Sequence, residues 1–307
     1  MRENQQAAGV AFAGLAYLLW GFLPLYWKML GGVPAGEVLA HRIVWSLIFM
    51  GGVLLVLKKI QPVGSEIIRI FKNKKSAAAI TAAAVLISIN WFIFIFAVNS
   101  DRVIEASLGY YINPLFNVVL ATAFLKEKLT KAEGLAFFLA VGGVITLTFY
   151  YGYFPWAAIG LALSFGLYGL IKKTTPLSAW AGLTVETMIM VPFALLFLFA
   201  VQGDAGGVFR FSWEDHALLI GAGAATAVPL LLFAASSKRI SFSLIGFLQY
   251  FAPTIMLLLG VFLFNEPFSL QQLTAFIIVW IGLIIFTVSR SRTSWKARKW
   301  NALGKPE

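Results

Sequence analysis

Long apolar runs and short polar connectors follow one another along the whole chain. Ten runs are close to the roughly 20 apolar residues that a helix needs to cross a bilayer. They are continuous and show no alternation with period two, so they predict helices and exclude strands. The first five runs cover residues 7–29, 36–57, 77–98, 104–125 and 132–149. The second five cover residues 155–171, 179–201, 216–235, 242–264 and 270–289.

The pattern predicts an all-α membrane protein with ten transmembrane helices. Ala11 and Ala13 give the first run the look of a signal-peptide cleavage site, but the run continues to Tyr26, which favours a retained helix. Composition agrees with the pattern, since 60% of the 307 residues are apolar and only 12% are charged. A soluble domain carries about twice that share of charged residues. Cysteine is absent, which excludes disulfides and thiolate chemistry.

The positions of lysine and arginine predict the orientation. If Met1 is cytoplasmic, almost all basic residues fall in cytoplasmic connectors or in the C-terminal tail, and only Arg102 and Arg210 fall in outer connectors. This asymmetry satisfies the positive-inside rule and puts both termini in the cytoplasm. It also accounts for the net charge of +11, because the basic residues would lie beside anionic lipid headgroups. A nucleic-acid partner is therefore not expected.

An internal repeat divides the chain into two halves. Residues 124–130 read FLKEKLT and residues 263–269 read LFNEPFS, so Glu127 and Glu266 lie 139 positions apart in similar surroundings. The same offset relates Pro114 to Pro253. Five spans per half is an odd number, so the second half enters the membrane from the opposite side. We expect a first repeat over residues 1–152, a second over 153–290, and a basic, partly disordered cytoplasmic tail over 291–307.

Several stretches resemble a known family. The two glutamate-bearing segment ends are similar to those of EamA domains in the drug/metabolite transporter superfamily. Within that superfamily the chain resembles the RarD-type permeases through AHRIVWS (40–46), EASLGYYINPL (105–115), FGLYGLIKK (165–173), VETM (185–188) and GFLQYFAPT (246–254). The resemblance extends to about Ser289. It implies ten spans, the inner (cytoplasmic) membrane of a bacterium, and export or exchange of small molecules.

Polar side chains at membrane depth are costly, so they are candidates for a substrate cavity. Asn113 precedes Pro114, and that proline frees the backbone carbonyl of Tyr110. Gln249 and Tyr250 precede Pro253, where the same reasoning predicts a second kink. Asn90 in the third run and Thr226 in the eighth belong to this group. Hydrogen bonding between helices is the alternative for all of them.

Aromatic residues form a second set of candidates. Tyr17 and Trp20 share a face of the first run with Gly21, and Tyr168 with Gly169 resembles this pair in the second half. Such faces could line a cavity that stacks flat or apolar substrates. Close helix packing around glycine is the alternative.

Four ionisable residues inside the predicted spans are candidates for a functional role. Glu186 has no basic neighbour nearby in sequence and is the first candidate for a proton-coupling carboxylate, with a structural ion pair as the alternative. Arg42 could serve a substrate or extend to the outer surface, and His41 could titrate or pack as a donor. Glu105 could function in the cavity, be solvated, or pair with Arg102 or Lys28. Glu127 and Glu266 are interpreted as helix-end or gate elements.

The sequence therefore predicts a secondary active transporter of a small organic solute, such as an amino acid, metabolite or drug, coupled to protons or exchange. A passive channel for small polar solutes and a scaffold without transport activity are the alternatives. There is no P-loop, so direct nucleotide-driven pumping is unsupported. An enzyme is not expected, since there is no HExxH motif and no catalytic constellation. No cofactor and no metal site are predicted, and the oligomeric state is left open.

Overall fold

The computed structural model describes residues 2–125, 130–151, 154–175, 177–204, 211–237, 239–240 and 248–302. Over these residues the regular structure is entirely helical. The helices of the first half are α1 (Arg2–Met29), α2 (Ala35–Val56), α3 (Ile60–Phe71), α4 (Lys74–Asn99), α5 (Val103–Leu125) and α6 (Lys131–Tyr151). Those of the second half are α7 (Trp156–Thr174), α8 (Ala179–Asp204), α9 (Trp213–Ser237), α10 (Phe251–Leu258) and α11 (Leu270–Ala302).

Seven helices in the described part of the chain are long and apolar enough to cross a membrane. They are α1, α2, α4, α6, α8, α9 and α11. The apolar stretches Trp156–Lys172 and Phe251–Leu263 are shorter. Large apolar side chains such as Phe138, Phe149 and Phe199 are exposed on the outside of the bundle, as a surface in contact with lipid requires. The helical membrane class is thus confirmed, while ten inverted spans stay a prediction.

The connector after α2 contains the helix α3, which the pattern of apolar runs does not predict. Its apolar residues Val63, Ile67 and Ile70 recur at helical spacing and pack towards α8 and α4. Glu66, on the same helix, accepts hydrogen bonds from the backbone N–H of Ser178 at 2.5 Å and from its hydroxyl at 2.7 Å. Since Ser178 directly precedes α8, α3 fixes the start of that helix.

A Glu66→Gln variant tests this connection. The amide has only one acceptor oxygen and no charge, so we expect the free energy of unfolding to fall by about 1 kcal/mol. Unfolding in mixed detergent micelles measures the change. Glu214→Gln, an exposed acid in the first turn of α9, is the matched control. Equal stability of the two variants would contradict a role for α3 in anchoring α8.

Helices α6 and α11 pack on each other in a reciprocal manner. A Cβ on Gly143 would lie 3.0 Å from the carbonyl oxygen of Ala275, and a Cβ on Gly282 would lie 2.9 Å from that of Ala136. The partners of the two glycines thus run in opposite order along the two helices, so α6 and α11 are antiparallel. Both pairs of equivalent residues, Gly143 with Gly282 and Ala136 with Ala275, are 139 positions apart.

The starts of α6 and α11 carry the same capping arrangement. The N–H of Thr130 donates to Glu133, and the N–H of Glu133 donates to the Thr130 hydroxyl. Ser269 and Gln272 form the same reciprocal pair before α11. Both capping boxes satisfy N–H groups that the first helical turn leaves without partners. They too are separated by 139 positions.

Most of the other extensive helix contacts join the two halves of the chain. Helix α1 packs on α9 and α10, while α7 packs on α4 and α5. Helix α2 packs on α8 and α9, and α4 also packs on α8. The buried core therefore lies mainly between residues of the first half and residues of the second.

Two expectations about the C-terminal region need correction. The run 242–264 was predicted as one helix, but in its described part α10 begins at Phe251 and gives way to a π-helical turn, Leu259–Leu263. The tail after residue 290 was expected to be partly disordered, whereas α11 continues to Ala302. Positions 242–247 and 303–307 lie outside the described residues.

Candidate functional site

Arg42 occupies a buried position between the two halves, with 4% of its surface exposed. Its Nε donates to the hydroxyl of Thr226 on α9 at 2.7 Å. The guanidinium carbon lies 5.0 Å from the ring centre of Trp27 and 4.2 Å from that of Trp91. Tyr110 on α5 interacts electrostatically with the same guanidinium. These five residues, called the Arg42 cluster below, exclude the interpretation that Arg42 extends to the outer surface.

The Thr226 hydroxyl is held in place by its own helix. It donates to the carbonyl of Ala222 at 2.9 Å, which leaves its lone pairs to accept from Arg42. A Cβ on Gly223, one turn earlier, would overlap the carbonyl group of Trp45 on α2. Backbone contact between α2 and α9 at Gly223 is therefore what brings Thr226 within reach of Arg42.

Asn90 makes a similar connection between the halves. Its Nδ2 donates to the carbonyl of Leu161 and to the hydroxyl of Ser164 on α7, each at 3.0 Å. Ser164 in turn donates to the carbonyl of Gly160, as Thr226 does to its own helix. The geometry matches the alternative that Asn90 links helices by hydrogen bonds.

On α5, Asn113 is 6% exposed, and its Oδ1 has no hydrogen-bond partner among the described residues. It lies one turn after Tyr110, whose ring meets Phe94 edge-on at 5.7 Å between ring centres. Gly109, between α5 and α7, has the Ala158 carbonyl oxygen 2.7 Å from the place of a Cβ. Asn113 is thus a buried acceptor on the helix that contributes Tyr110 to the Arg42 cluster.

The second proposed kink, at Pro253, stays a prediction, because residues 241–247 lie outside the described part of the chain. Pro253 lies in the first turn of α10, where a missing N–H leaves no helical hydrogen bond unmade. Its carbonyl instead accepts from the Ser107 hydroxyl at 2.8 Å. Tyr250 stacks on Tyr111 with 6.3 Å between ring centres, and Gln249 beside it is half-buried.

Tyr17 and Trp20 belong to a packed aromatic group. Tyr17 meets Trp20 edge-on at 5.4 Å and Phe233 of α9 at 6.1 Å. A Cβ on Gly21 would lie 2.8 Å from side-chain carbons of Ile255 on α10. The described contacts match close packing around glycine, which was the alternative to a substrate-lining face.

Glu186 has the partners that the sequence did not reveal. It is 2% exposed, and its Oε1 lies 2.7 Å from the ammonium of Lys172 on α7. The hydroxyl of Tyr168 donates to its Oε2 at 3.1 Å. A Cβ on Gly182 would overlap the Lys172 ammonium, so this glycine leaves the room that the ion pair needs. Glu186, Lys172 and Tyr168 form the Glu186 cluster.

The other ionisable candidates lie nearer the helix ends. Glu105 accepts from the N–H of Ala157 at 2.9 Å, so it caps the start of α7. It also lies 3.6 Å from Arg102, which is one of its two predicted partners. Lys28 pairs with Asp101 instead. His41 is half-buried on α2.

Glu266 agrees with its interpretation as a helix-end element. Its two carboxylate oxygens accept from the N–H groups of Val103 at 2.7 Å and Ile104 at 2.9 Å, at the start of α5. Asn265, with φ of 52°, turns the chain so that the carboxylate faces that helix. A carboxylate at a helix start is stabilised by the helix dipole. Its repeat partner Glu127 lies outside the described residues.

The candidates thus fall into separate groups. Arg42, Thr226 and Tyr110 come together, as do Glu186 and Tyr168. Sequence reasoning missed Trp27, Trp91 and Lys172, which complete these clusters through contacts between distant helices. Lys172 carried a signal, since it lies within the stretch 165–173 that resembles the RarD-type permeases, but its position near the end of a span favours the inner surface.

Comparisons with known proteins identify the family. Residues 7–149 match the EamA-like transporter family. The chain is 45% identical to the uncharacterized transporter YojE of Bacillus subtilis, covering 96% of this chain and 98% of that protein. It is 38% identical to protein RarD of Escherichia coli, covering 97% of this chain and 100% of that protein. The chloramphenicol-sensitive protein RarD of Pseudomonas aeruginosa is 27% identical, over 90% and 92% of the two chains.

A solved crystal structure shares the fold. Its chain is 17% identical and superposes with a TM-score of 0.61, over 92% of this chain and 98% of its own. Sequence relatives and fold agree with the helical membrane architecture described above. The chain belongs to the EamA-like transporter family, among the RarD relatives.

Proposed function

We propose that the protein is a secondary active transporter that moves a small organic solute by alternating access, driven by protons or by exchange. The observation that carries the proposal is that the buried polar side chains join the two halves. Hydrogen bonds run from Arg42 to Thr226, from Asn90 to Leu161 and Ser164, and from Ser107 to Pro253. A carrier needs polar groups at this boundary, because a solute must meet them from either side.

The strength of these contacts suits a moving boundary. Hydrogen bonds between membrane helices contribute about 0.6–2 kcal/mol each. A few such bonds can break and re-form as one half rocks against the other, whereas a continuous apolar core could not bind a polar solute. Asn113 has a buried acceptor without a partner among the residues that the structure describes, and adds a position where a solute donor would be favourable.

The proposal includes the ten-helix inverted plan, both termini in the cytoplasm, and the inner membrane. Three observations support the inverted plan. The α6–α11 contact is antiparallel and reciprocal at an offset of 139 positions, and the capping boxes repeat at that offset. The packing of α1 on α9 and α10 also corresponds to the packing of α7 on α4 and α5 when the halves are exchanged. Reciprocal contacts of this kind are typical of a two-fold relation.

Transport by purified protein in liposomes tests the proposal. Radiolabelled amino acids, a metabolite panel and chloramphenicol are supplied with and without an imposed pH gradient. We expect saturable uptake of at least one solute class and counterflow, in which unlabelled solute inside speeds entry of label. Single-channel conductance in planar bilayers, or flux no faster than in protein-free liposomes for every solute, would contradict a carrier.

A further inference from the structure

We propose that Arg42 binds the carboxylate of a singly charged organic anion, so that the transported solute carries this group. The inference rests on the proposed transport function and adds the chemical class of the substrate. Burying a guanidinium raises the free energy of the folded protein unless the charge is paired and its N–H groups are hydrogen-bonded. Arg42 is 4% exposed, and no carboxylate of the described residues forms an ion pair with it.

The partners that Arg42 does have satisfy only part of the group. The rings of Trp27 and Trp91 interact with the positive charge but offer no in-plane acceptor. Thr226 accepts from Nε alone. Nη1 is buried and has no hydrogen-bond partner within the part of the chain that the structure describes. The Nη1 group of the guanidinium fork is therefore available to an acceptor from outside the protein.

The Trp27 ring, whose centre lies 5.0 Å from the guanidinium carbon, carries a second unsatisfied donor. The indole N–H of Trp27 is fully buried and also lacks a partner among the described residues. Two neighbouring donors without acceptors favour a ligand that only accepts, and an ionised carboxylate is such a group. The planar fork of arginine also matches the geometry of a carboxylate.

The charge of the cluster limits the charge of the ligand. Arg42 is the only charged member of a cluster otherwise made of Thr226, two tryptophans and Tyr110. One buried cation balances one negative charge, so a monocarboxylate fits and a phosphate dianion would leave an uncompensated charge. Because the cluster is closed in this structure, the anion reaches it only after the halves separate, which is the motion that alternating access supplies.

Thermal unfolding of the purified protein in detergent tests the binding step without transport. The probes are acetate, L-lactate and 3-phenylpropionate, each compared with its neutral amide at equal ionic strength, and inorganic phosphate. We expect at least one carboxylate to raise Tm while its amide and phosphate do not. In R42Q the Kd should weaken about ten- to hundredfold, so that the shift is lost. R69Q, the same change at an exposed arginine of α3, should keep the shift.

A second measurement does not depend on the choice of probe. Since the empty site holds an unbalanced charge, R42Q without ligand should unfold at a Tm equal to or above that of the unchanged protein. A structural arginine would instead lower the Tm of R42Q. An R42Q variant that does not fold would likewise contradict the anion site. R42K, which keeps the charge but not the fork, should fold and show a smaller ligand-induced rise in Tm than the unchanged protein.

Each remaining outcome decides between the proposals. No shift from any carboxylate, an equal shift from the amides, or a shift that persists in R42Q would overturn the anion site. A shift from phosphate alone would overturn the single-charge argument. Carboxylate binding without flux in liposomes would contradict the transport proposal and leave the anion site standing. Saturable flux of a neutral solute, unaffected by R42Q, would contradict the anion site and leave the transport proposal standing.

Discussion

Replacing Gly223 with alanine should destabilise the protein by about 2–3 kcal/mol, the cost of overpacking a tightly packed contact. A Cβ at this position would overlap the backbone carbonyl of Trp45 and lie 2.9 Å from the N–H nitrogen of Ser46. Backbone atoms cannot move aside as the end of a flexible side chain can, so α2 and α9 must separate. The hydrogen bond between Arg42 and Thr226 lies next to this contact and should lengthen or break.

Gly52→Ala is the matched control. Gly52 lies on α2 with open space around the position of a Cβ, and the same substitution there should leave stability unchanged or slightly raise it. Thermal unfolding of both variants in the same detergent compares them. An equal Tm for the two would show that α2 and α9 do not approach each other at Gly223 as the structure has them.

Much of the fold follows from the sequence because the membrane imposes a simple rule. Backbone groups in lipid must be paired within the helix, so long apolar runs predict helices well. The amphipathic helix α3 was not predicted, because the apolar residues of its buried face are separated by other residues and form no long run. Its helical spacing at Val63, Ile67 and Ile70 was visible in the sequence and would have predicted it.

The sequence indicates which polar residues are buried but not which residues they contact. Depth in an apolar run singled out Arg42, Thr226, Asn90 and Glu186, and each is buried in the structure. Their partners come from helices distant in sequence, such as Lys172 for Glu186. Spacing along one helix tells which face a residue occupies but not which helix faces it. The partners of these buried polar residues are therefore visible only in the structure.

The effect of Pro253 on its helix is hard to predict from the sequence for a related reason. Its missing N–H predicts a disturbance only if the residue lies inside a helix. Pro253 lies in the first turn of α10, and residues 241–247 lie outside the described part of the chain, so the predicted kink stays a prediction. A further local departure in this region is the π-helical turn Leu259–Leu263, which lies beyond Pro253 and which no motif in the sequence indicated. The start of a helix within a long apolar run is not marked by hydropathy.

Replacing Glu186 with glutamine should abolish accumulation driven by a pH gradient while exchange of labelled for unlabelled solute continues. The carboxylate is buried between the ammonium of Lys172 and the hydroxyl of Tyr168. A carboxylate in such a position can carry a proton only if the ion pair opens, and glutamine cannot take up a proton at all. Liposome uptake with and without the gradient measures the loss, and Glu214→Gln, at an exposed acid, should behave like the unchanged protein.

The competing explanation is that Glu186 only stabilises the fold. Removing one member of a buried pair is costly because the other charge is left uncompensated, although Lys172 keeps 23% of its side chain exposed and this reduces the cost. A double variant, Glu186→Gln with Lys172→Met, removes both charges and should recover much of the lost stability. If the ion pair is structural, the double variant should recover gradient-driven accumulation along with its Tm. A coupling carboxylate predicts that Tm returns and accumulation does not, because no group is left to carry the proton between the two sides.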